Sequence, residues 1–197
     1  ILVVPASSPV STLQEFIELA RKHPGRYNTP VPGVGTSIHL GLEILQQATG
    51  IQLVPVNYKG QPPFLVDLVN GQLHFASVTA ALAVPQIIAG KLKALAVVAD
   101  QPLKSLPGVP ALSDIGFANA IVMPWNGIFA PAGTPRQAVE RLAAGFEQAL
   151  RDPAVLQRYE TIGAVVPKGP KDLARFVGTE KGRWERLVAE RNISAEV

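Results

Sequence analysis

Apolar positions along the chain follow two spacings. Ile1–Val4 is a short apolar run closed by Pro5-Ala6-Ser7-Ser8-Pro9, which predicts a buried strand and a turn. Leu13, Phe16, Ile17 and Ala20 then recur at helical steps. Ser11 and Thr12 precede them as N-caps, Gln14 and Glu15 stand three residues on in capping-box positions, and His23-Pro24-Gly25 stops the helix. Tyr27–Val31 predicts a strand despite Pro30. A helix from about Ile38 to Thr49 follows, burying Ile38, Leu42, Ile44 and Leu45 and ending at Gly50. Strands are expected at Ile51–Tyr58, Leu73–Ser77 and Leu92–Val98, and helices at Pro63–Asn70 and Ala80–Ala89. Residues 27–98 thus alternate strand and helix, the signature of a mostly parallel sheet covered by helices. The nearly continuous run Leu92–Val98 suits a strand buried on both faces.

Asp100–Pro124 changes character, with four prolines and little periodicity. It reads as a long connection with a turn of helix near Leu112–Ile115, and connections of this length are usually functional or cross between units. Trp125–Ala130 predicts another strand. Pro131-Ala132-Gly133-Thr134 turns the chain, with Thr134 as N-cap and Pro135 at the first helical position. The helix Pro135–Arg151 is expected to bury Val139, Leu142, Phe146 and Leu150. Asp152-Pro153 restarts a helix to about Ile162, Ala164–Val166 is a short strand, and Lys171–Asn192 is a final helix carrying Leu173, Phe176, Trp184 and Leu187. Leu2–Ala6 with Pro9 is echoed faintly by Ile128–Ala132 with Pro135, as two strand–turn–helix units would be, but the echo is too short for a repeat.

Composition narrows the class. With 197 residues the chain has room for one large domain or two small lobes. It is 47% apolar and 17% charged, hence globular. Its net charge of +3 is dispersed, which argues against a nucleic-acid surface. Without cysteine, disulfides, zinc–thiolate sites and thiol nucleophiles are excluded. No apolar run approaches the roughly 20 residues of a membrane span. The chain opens at Ile1 inside an expected strand, with neither Met nor a charged leader, so it is expected to be a fragment or a processed form.

The chemistry centres on Pro32-Gly33-Val34-Gly35-Thr36-Ser37-Ile38-His39-Leu40. Two glycines permit a tight turn and close approach to backbone N–H groups. Thr36 or Ser37 can cap the helix behind it, whose start gathers free donors and partial positive charge suited to a carboxylate or phosphate. The stretch lacks the lysine of a Walker loop and the third glycine of a dinucleotide fingerprint, and such a turn by itself is more often plain architecture. His23, His39 and His74 have no metal-ligand spacing. His23 suits a helix end, His39 either ligand contact or packing, and His74 a hydrogen-bonded structural role. No serine nucleophile elbow and no close carboxylate pair is present, so neither catalysis nor a cofactor is expected. Asp67 and Glu43 read as solvated helix faces. Tyr58-Lys59-Gly60 and Ser77-Val78-Thr79 follow strands. Tyr58 could wall a pocket and donate its hydroxyl, Ser77 and Thr79 could donate from the same edge, and Trp125 could line a cleft or pack in a core. Small polar groups gathered at strand ends suggest binding without bond-breaking.

Several blocks together carry a specific resemblance: Pro32-Gly33-Val34-Gly35-Thr36 with His39-Leu40, Val56-Asn57-Tyr58-Lys59-Gly60, Asp67-Leu68 with Gly71, Pro85 with Gly90-Lys91-Leu92 and Ala94–Val97, Leu106–Pro110, and Trp125 with Gly127 and Phe129–Pro135. The chain resembles, over its whole length, the tripartite tricarboxylate transporter substrate-binding proteins, or Bug receptors. The resemblance implies a periplasmic α/β protein of the type II periplasmic-binding-protein kind, with two lobes closing on a small organic carboxylate that is passed to membrane permease subunits. It implies one gripping loop at Gly33, Val34, Gly35, Thr36 and Ser37 and a second in a segment preceding Ile1, beside which His39, Tyr58, Ser77 and Thr79 stand as the candidate contacts read from the residues themselves. About the first hundred residues of a typical mature member are then absent and the first lobe is incomplete. Residues 5–124 form the second lobe. Ile1–Val4 is the crossover strand, and residues 125–197 belong to the first lobe. Helices after Pro135 would expose faces that the rest of that lobe covers, favouring self-association.

The chain departs from the family pattern in places. Pro30 and Pro32 remove N–H donors, Thr36 stands where serine is common, and Pro62-Pro63 alters the turn after Gly60. Val78 stands where aspartate is frequent, which disfavours an amine-bearing ligand. Two other readings stay open. A two-lobe ligand-sensing regulatory domain would normally carry a DNA-binding helix-turn-helix, which is not present here. An enzyme acting on an anionic substrate would reveal itself by product formation.

Overall fold

The computed structural model describes residues 1–122, 124–125, 127–161 and 170–191. The chain forms two compact units that divide between Pro124 and Trp125. In the first, β1 (Leu2–Pro5) leads into α1 (Leu13–Lys22). Thr12 caps α1 reciprocally: its hydroxyl accepts from the Glu15 amide at 3.2 Å, while the Glu15 carboxylate accepts from the amides of Ser11 and Thr12 at 2.7 and 3.2 Å. Those amides hold the Glu15 carboxyl below its ordinary value of 4.5. A lowered acid contributes stability that is complete above its unfolded value and is lost as pH falls through the folded one. The contribution of this cap should therefore fade below pH 4.5. Thr12→Ala should cost about 1 kcal/mol near neutral pH, a difference that narrows in acid when measured by denaturant unfolding.

The strands β2 (Tyr27–Val31) and β3 (Leu53–Asn57) flank α2 (Ser37–Thr49) and pair in parallel. Then come α3 (Gln61–Val69), β4 (Ala76–Ser77), α4 (Ala80–Ile88) and β5 (Leu92–Ala96). The expectation of one mostly parallel sheet needs correction. β1 lies between β4 and β5 and runs antiparallel to both, so the strands form a three-stranded sheet β4-β1-β5 and a separate parallel pair β2-β3. The chain's first strand enters between two strands of the later alternation, which a reading limited to residues 27–98 cannot foresee. β4 is shorter than expected because His74, just before it, is bonded elsewhere. Its N–H donates to the Asn28 carbonyl and its Nδ1 accepts from the Asn28 N–H, both at 3.0 Å. A side-chain nitrogen thus stands where a ladder would use a carbonyl, and it stitches β2 to the segment leading into β4.

Side-chain alternation along β1 places the core. Leu2 and Val4 face one cluster with Leu13, Phe16, Ile17, Leu45 and Phe75, where Phe16 and Phe75 stack at 4.3 Å. Ile1 and Val3 face a second with Phe64, Leu68, Leu73, Ala83 and Leu92. The α1 and α2 helices therefore cover one side of the strands, and α3 and α4 the other. At Gly41 a Cβ would come within 3.3 Å of Val122, so glycine lets α2 sit close against the segment around the 3-10 turn Ala118–Ala120. The turn expected near Leu112–Ile115 is present as successive i→i+3 turns, with the Asp114 N–H on the Ala111 carbonyl at 3.1 Å and the Gly116 N–H on the Ser113 carbonyl at 3.3 Å; it starts where Ala111 bridges Val97 and the Leu112 N–H returns to the Val97 carbonyl at 2.9 Å.

The second unit holds α5 (Arg136–Ala149), α6 (Pro153–Thr161) and α7 (Pro170–Arg191). The expected strand Trp125–Ala130 does not form among its described residues. A strand needs a neighbour for its backbone groups, and the described remainder of this unit is helical; Ile128 and Phe129 stay 69% and 66% exposed. Thr134 does not cap α5 either. Its hydroxyl donates to the Pro131 carbonyl at 2.8 Å, closing the turn, and Pro135 takes the cap position. The expected burial along α5 is also absent: Val139, Leu142 and Phe146 are 41%, 58% and 45% exposed. Asp152 does start α6, accepting from the Ala154 amide at 2.8 Å. The expected strand Ala164–Val166 and the helix ends at Ile162 and Asn192 lie outside the described residues.

Candidate functional site

The turn between β2 and α2 is built by its own hydrogen bonds. Gly33 and Gly35 have φ of 150° and 77°, a region that L side chains rarely enter. The Thr36 amide and hydroxyl both donate to the Gly33 carbonyl, at 3.3 and 2.8 Å. The same hydroxyl oxygen caps α2 by accepting from the His39 amide at 3.4 Å. His39 Nδ1 accepts from the Gly35 N–H at 3.1 Å. His39 therefore braces the turn from within the helix, and the Gly35 amide, expected to face a ligand, is already engaged. Because Nδ1 is the acceptor, the neutral imidazole carries its proton on Nε2.

What remains is a helix start with unused donors. Ser37 and Ile38 occupy the first two helical positions, where no residue one turn back can accept their N–H groups. Neither amide has an acceptor among the described residues. The Ser37 hydroxyl adjoins them. Gly33 and Ser37–His39 are half-buried, and Val34, Gly35 and Thr36 are exposed. The helix dipole adds partial positive charge at this point. An arrangement of two amides and a hydroxyl suits one carboxylate, held through both oxygens. Ile38 is the donor that the sequence reading passed over. It looks like a core residue, and only its position two past the cap gives it away.

The other predicted residues are tied to this edge through the backbone. The Tyr58 amide donates to the Val31 carbonyl at 2.9 Å, directly before the turn. Gln61, which the sequence reading did not single out, accepts from the Thr79 amide at 2.9 Å and joins the start of α3 to the segment between β4 and α4. Ser77 closes β4 opposite Leu2, and Val78 is buried with its amide on the Ile1 carbonyl. Tyr58 corrects two expectations at once. Its hydroxyl donates to Asp67 Oδ2 at 2.6 Å, so it does not donate outward, and Asp67 is not merely a solvated face. The hydrogen bond to that carboxylate raises the phenol above its ordinary value of 10.0. The stability that a raised phenol contributes is complete below its unfolded value and is lost as pH rises through the folded one. Tyr58→Phe should cost about 1–2 kcal/mol at neutral pH, read by denaturant unfolding. Trp125 lies in the second unit, its ring edge-on to Phe176 at 5.5 Å. His23 is the C-cap of α1.

Comparison with known proteins places these features in context. A family model described as tripartite tricarboxylate transporter family receptor matches residues 1–193. A curated relative from Pseudomonas sp. strain P51, described as a UPF0065 protein in the tcbD-tcbE intergenic region, is 34% identical over 99% of this chain and 59% of its own length. Among solved structures, periplasmic binding protein BugD aligns with a TM-score of 0.85 at 27% identity, over 99% of this chain and 66% of its own. An R. palustris protein solved with adipate aligns at 0.83 and 28%, over 98% and 65%. MatC from Rhodopseudomonas palustris, with bound malate, aligns at 0.82 and 30%, over 95% and 65%. The chain thus spans about three-fifths of its curated relative's length and about two-thirds of each solved neighbour's.

Proposed function

This chain belongs to the tripartite tricarboxylate transporter family of receptors, a family of solute-binding proteins and not of enzymes, and from that premise we propose that it supplies one gripping edge of a periplasmic receptor for a small dicarboxylic acid. The observation that carries the reading is the start of α2, where the amides of Ser37 and Ile38 find no acceptor among the described residues and stand beside the Ser37 hydroxyl. One ligand carboxylate accepts from these three donors. Gly33, Gly35, Thr36 and His39 shape the turn, while Val34, Tyr58, Ser77 and Thr79 wall the edge around it. Adipate and malate in two neighbours are both dicarboxylates, which supports an acid with two charged ends. The receptor then delivers its ligand to membrane permease subunits. Among the described residues no helix is long and apolar enough to cross a membrane, and no group of three or more His, Cys, Asp or Glu is placed to hold a metal ion. Titrating the labelled chain with malate should move the amide resonances of Ser37 and Ile38 saturably. Saturable shifts confined to other segments would refute the assignment.

We also propose that the exposed face of α5 makes the chain associate with itself. Val139, Leu142 and Phe146 recur at helical spacing and are all substantially exposed. Sedimentation should show concentration-dependent dimers that Leu142→Gln weakens at least tenfold. A strictly monomeric chain at high concentration would contradict this.

A further inference from the structure

A second concavity lies at the other end of the strands, apart from the α2 start. β2 begins at Tyr27, whose ring lines this pocket, and ends at Val31, which leads into the glycine turn. Its length separates the two places by about 13 Å at roughly 3.3 Å per residue. The pocket is a half-open depression of about 290 Å³, just short of the roughly 300–1,000 Å³ of small-molecule sites. Leu19 and Leu73 give it apolar lining beside Tyr27. Ser7 and Ser8 border it from the turn after β1, with Ser7 Oγ lying 3.7 Å from where a Gly71 Cβ would be. Lys93 Nζ donates to the Ser8 carbonyl and fixes that border.

The polar lining of this pocket is biased toward donors. Arg26 is the one cationic residue among those lining it and sits in an exposed position, and the residues lining the pocket include no carboxylate. His74 is committed by its stitching role: Nδ1 accepts from the Asn28 N–H, so Nε2 carries the ring proton and is left as a donor. Its ring stands edge-on to Tyr27 at 5.5 Å. The hydroxyls of Ser7 and Ser8 complete the set. Lining residues that can offer a cation, an imidazole N–H and two hydroxyls beside apolar side chains match a small molecule with a carboxylate at one end and a flat apolar body at the other. We propose that this pocket is a second ligand site, one that takes a small aromatic monocarboxylate with Arg26 pairing its charge. The site is independent of the proposed grip at α2.

Benzoate is the probe, and benzamide its neutral match in shape. Titrating the labelled chain with benzoate should move the amides of Arg26, Asn28 and Gly71 saturably. Benzamide, and benzoate against Arg26→Glu, should each bind at least tenfold more weakly. Ser7→Trp, which fills the pocket from an exposed position, should abolish the shifts while leaving the rest of the spectrum in place. Thr36→Asp should leave benzoate affinity unchanged, which separates this site from the α2 grip. Equal affinity for benzamide, an unaffected Arg26→Glu variant, saturable shifts restricted to residues 33–39, or no saturable shift at all would overturn the proposal.

Discussion

Thr36→Asp is expected to lower the affinity of this chain for malate by about three orders of magnitude while costing only about 1 kcal/mol of stability. The two halves of that expectation have separate causes. Aspartate is as good an N-cap as threonine, and a negative charge at a helix start is favourable. The His39 N–H, which donates to Thr36 Oγ1, therefore keeps an acceptor, and only the hydroxyl's donation to the Gly33 carbonyl is lost. The same carboxylate would stand beside the amides of Ser37 and Ile38. Two like charges about 4 Å apart at an effective dielectric of about 20 repel by about 4 kcal/mol, roughly a thousandfold in affinity. Gly35→Val should also lose binding, through the backbone. A Cβ there meets nothing within 4 Å, but φ is 77°, which a β-branched residue scarcely adopts. The turn must rearrange, and the bond from the Gly35 N–H to His39 Nδ1 goes with it. Malate titrations followed by amide shifts, with thermal melts beside them, check both variants. Full malate affinity in Thr36→Asp would exclude the α2 start as the anion seat.

What the sequence made legible was whatever is decided locally. The capping box at Thr12 and Glu15, the four buried residues of α1, the left-handed Gly50 and the cap at Thr36 all stand where short-range pattern puts them. These depend on neighbours within one helical turn. What was lost depends on partners distant in sequence. No local pattern says that β1 will insert antiparallel between β4 and β5. Trp125–Ala130 has the apolar content of a strand, but among the described residues of its unit no strand pairs with it. The same gap explains α5. Its periodicity is that of a buried helix, and the structure leaves that face open. At the proposed site, the glycine turn and the helix start behind it were legible, but which amide remains available was not. That depends on His39 turning Nδ1 back onto Gly35, a rotamer choice that composition does not encode. Tyr58 and Asp67 lie nine residues apart and look unrelated until α3 brings them to 2.6 Å.

His74→Leu should be the most destabilising of the stability variants considered, by about 2–3 kcal/mol. The Asn28 N–H, half-buried in β2, would lose its only acceptor among the described residues, and an unsatisfied donor of this kind costs about 1–3 kcal/mol. Lost packing adds to this, since the imidazole stands edge-on to Tyr27. The backbone bond from the residue 74 amide to the Asn28 carbonyl would survive, so the strands should loosen and not separate. His74→Asn provides the control. An asparagine carbonyl oxygen can occupy nearly the position of Nδ1 and accept the same N–H, so about half of the lost stability should return. Denaturant unfolding reads the energies, and hydrogen exchange at Asn28 reads the cause, with its protection collapsing in His74→Leu and partly recovering in His74→Asn. Equal stability of the leucine and asparagine variants would mean that the ring's bulk, and not its acceptor nitrogen, joins β2 to the strand beyond.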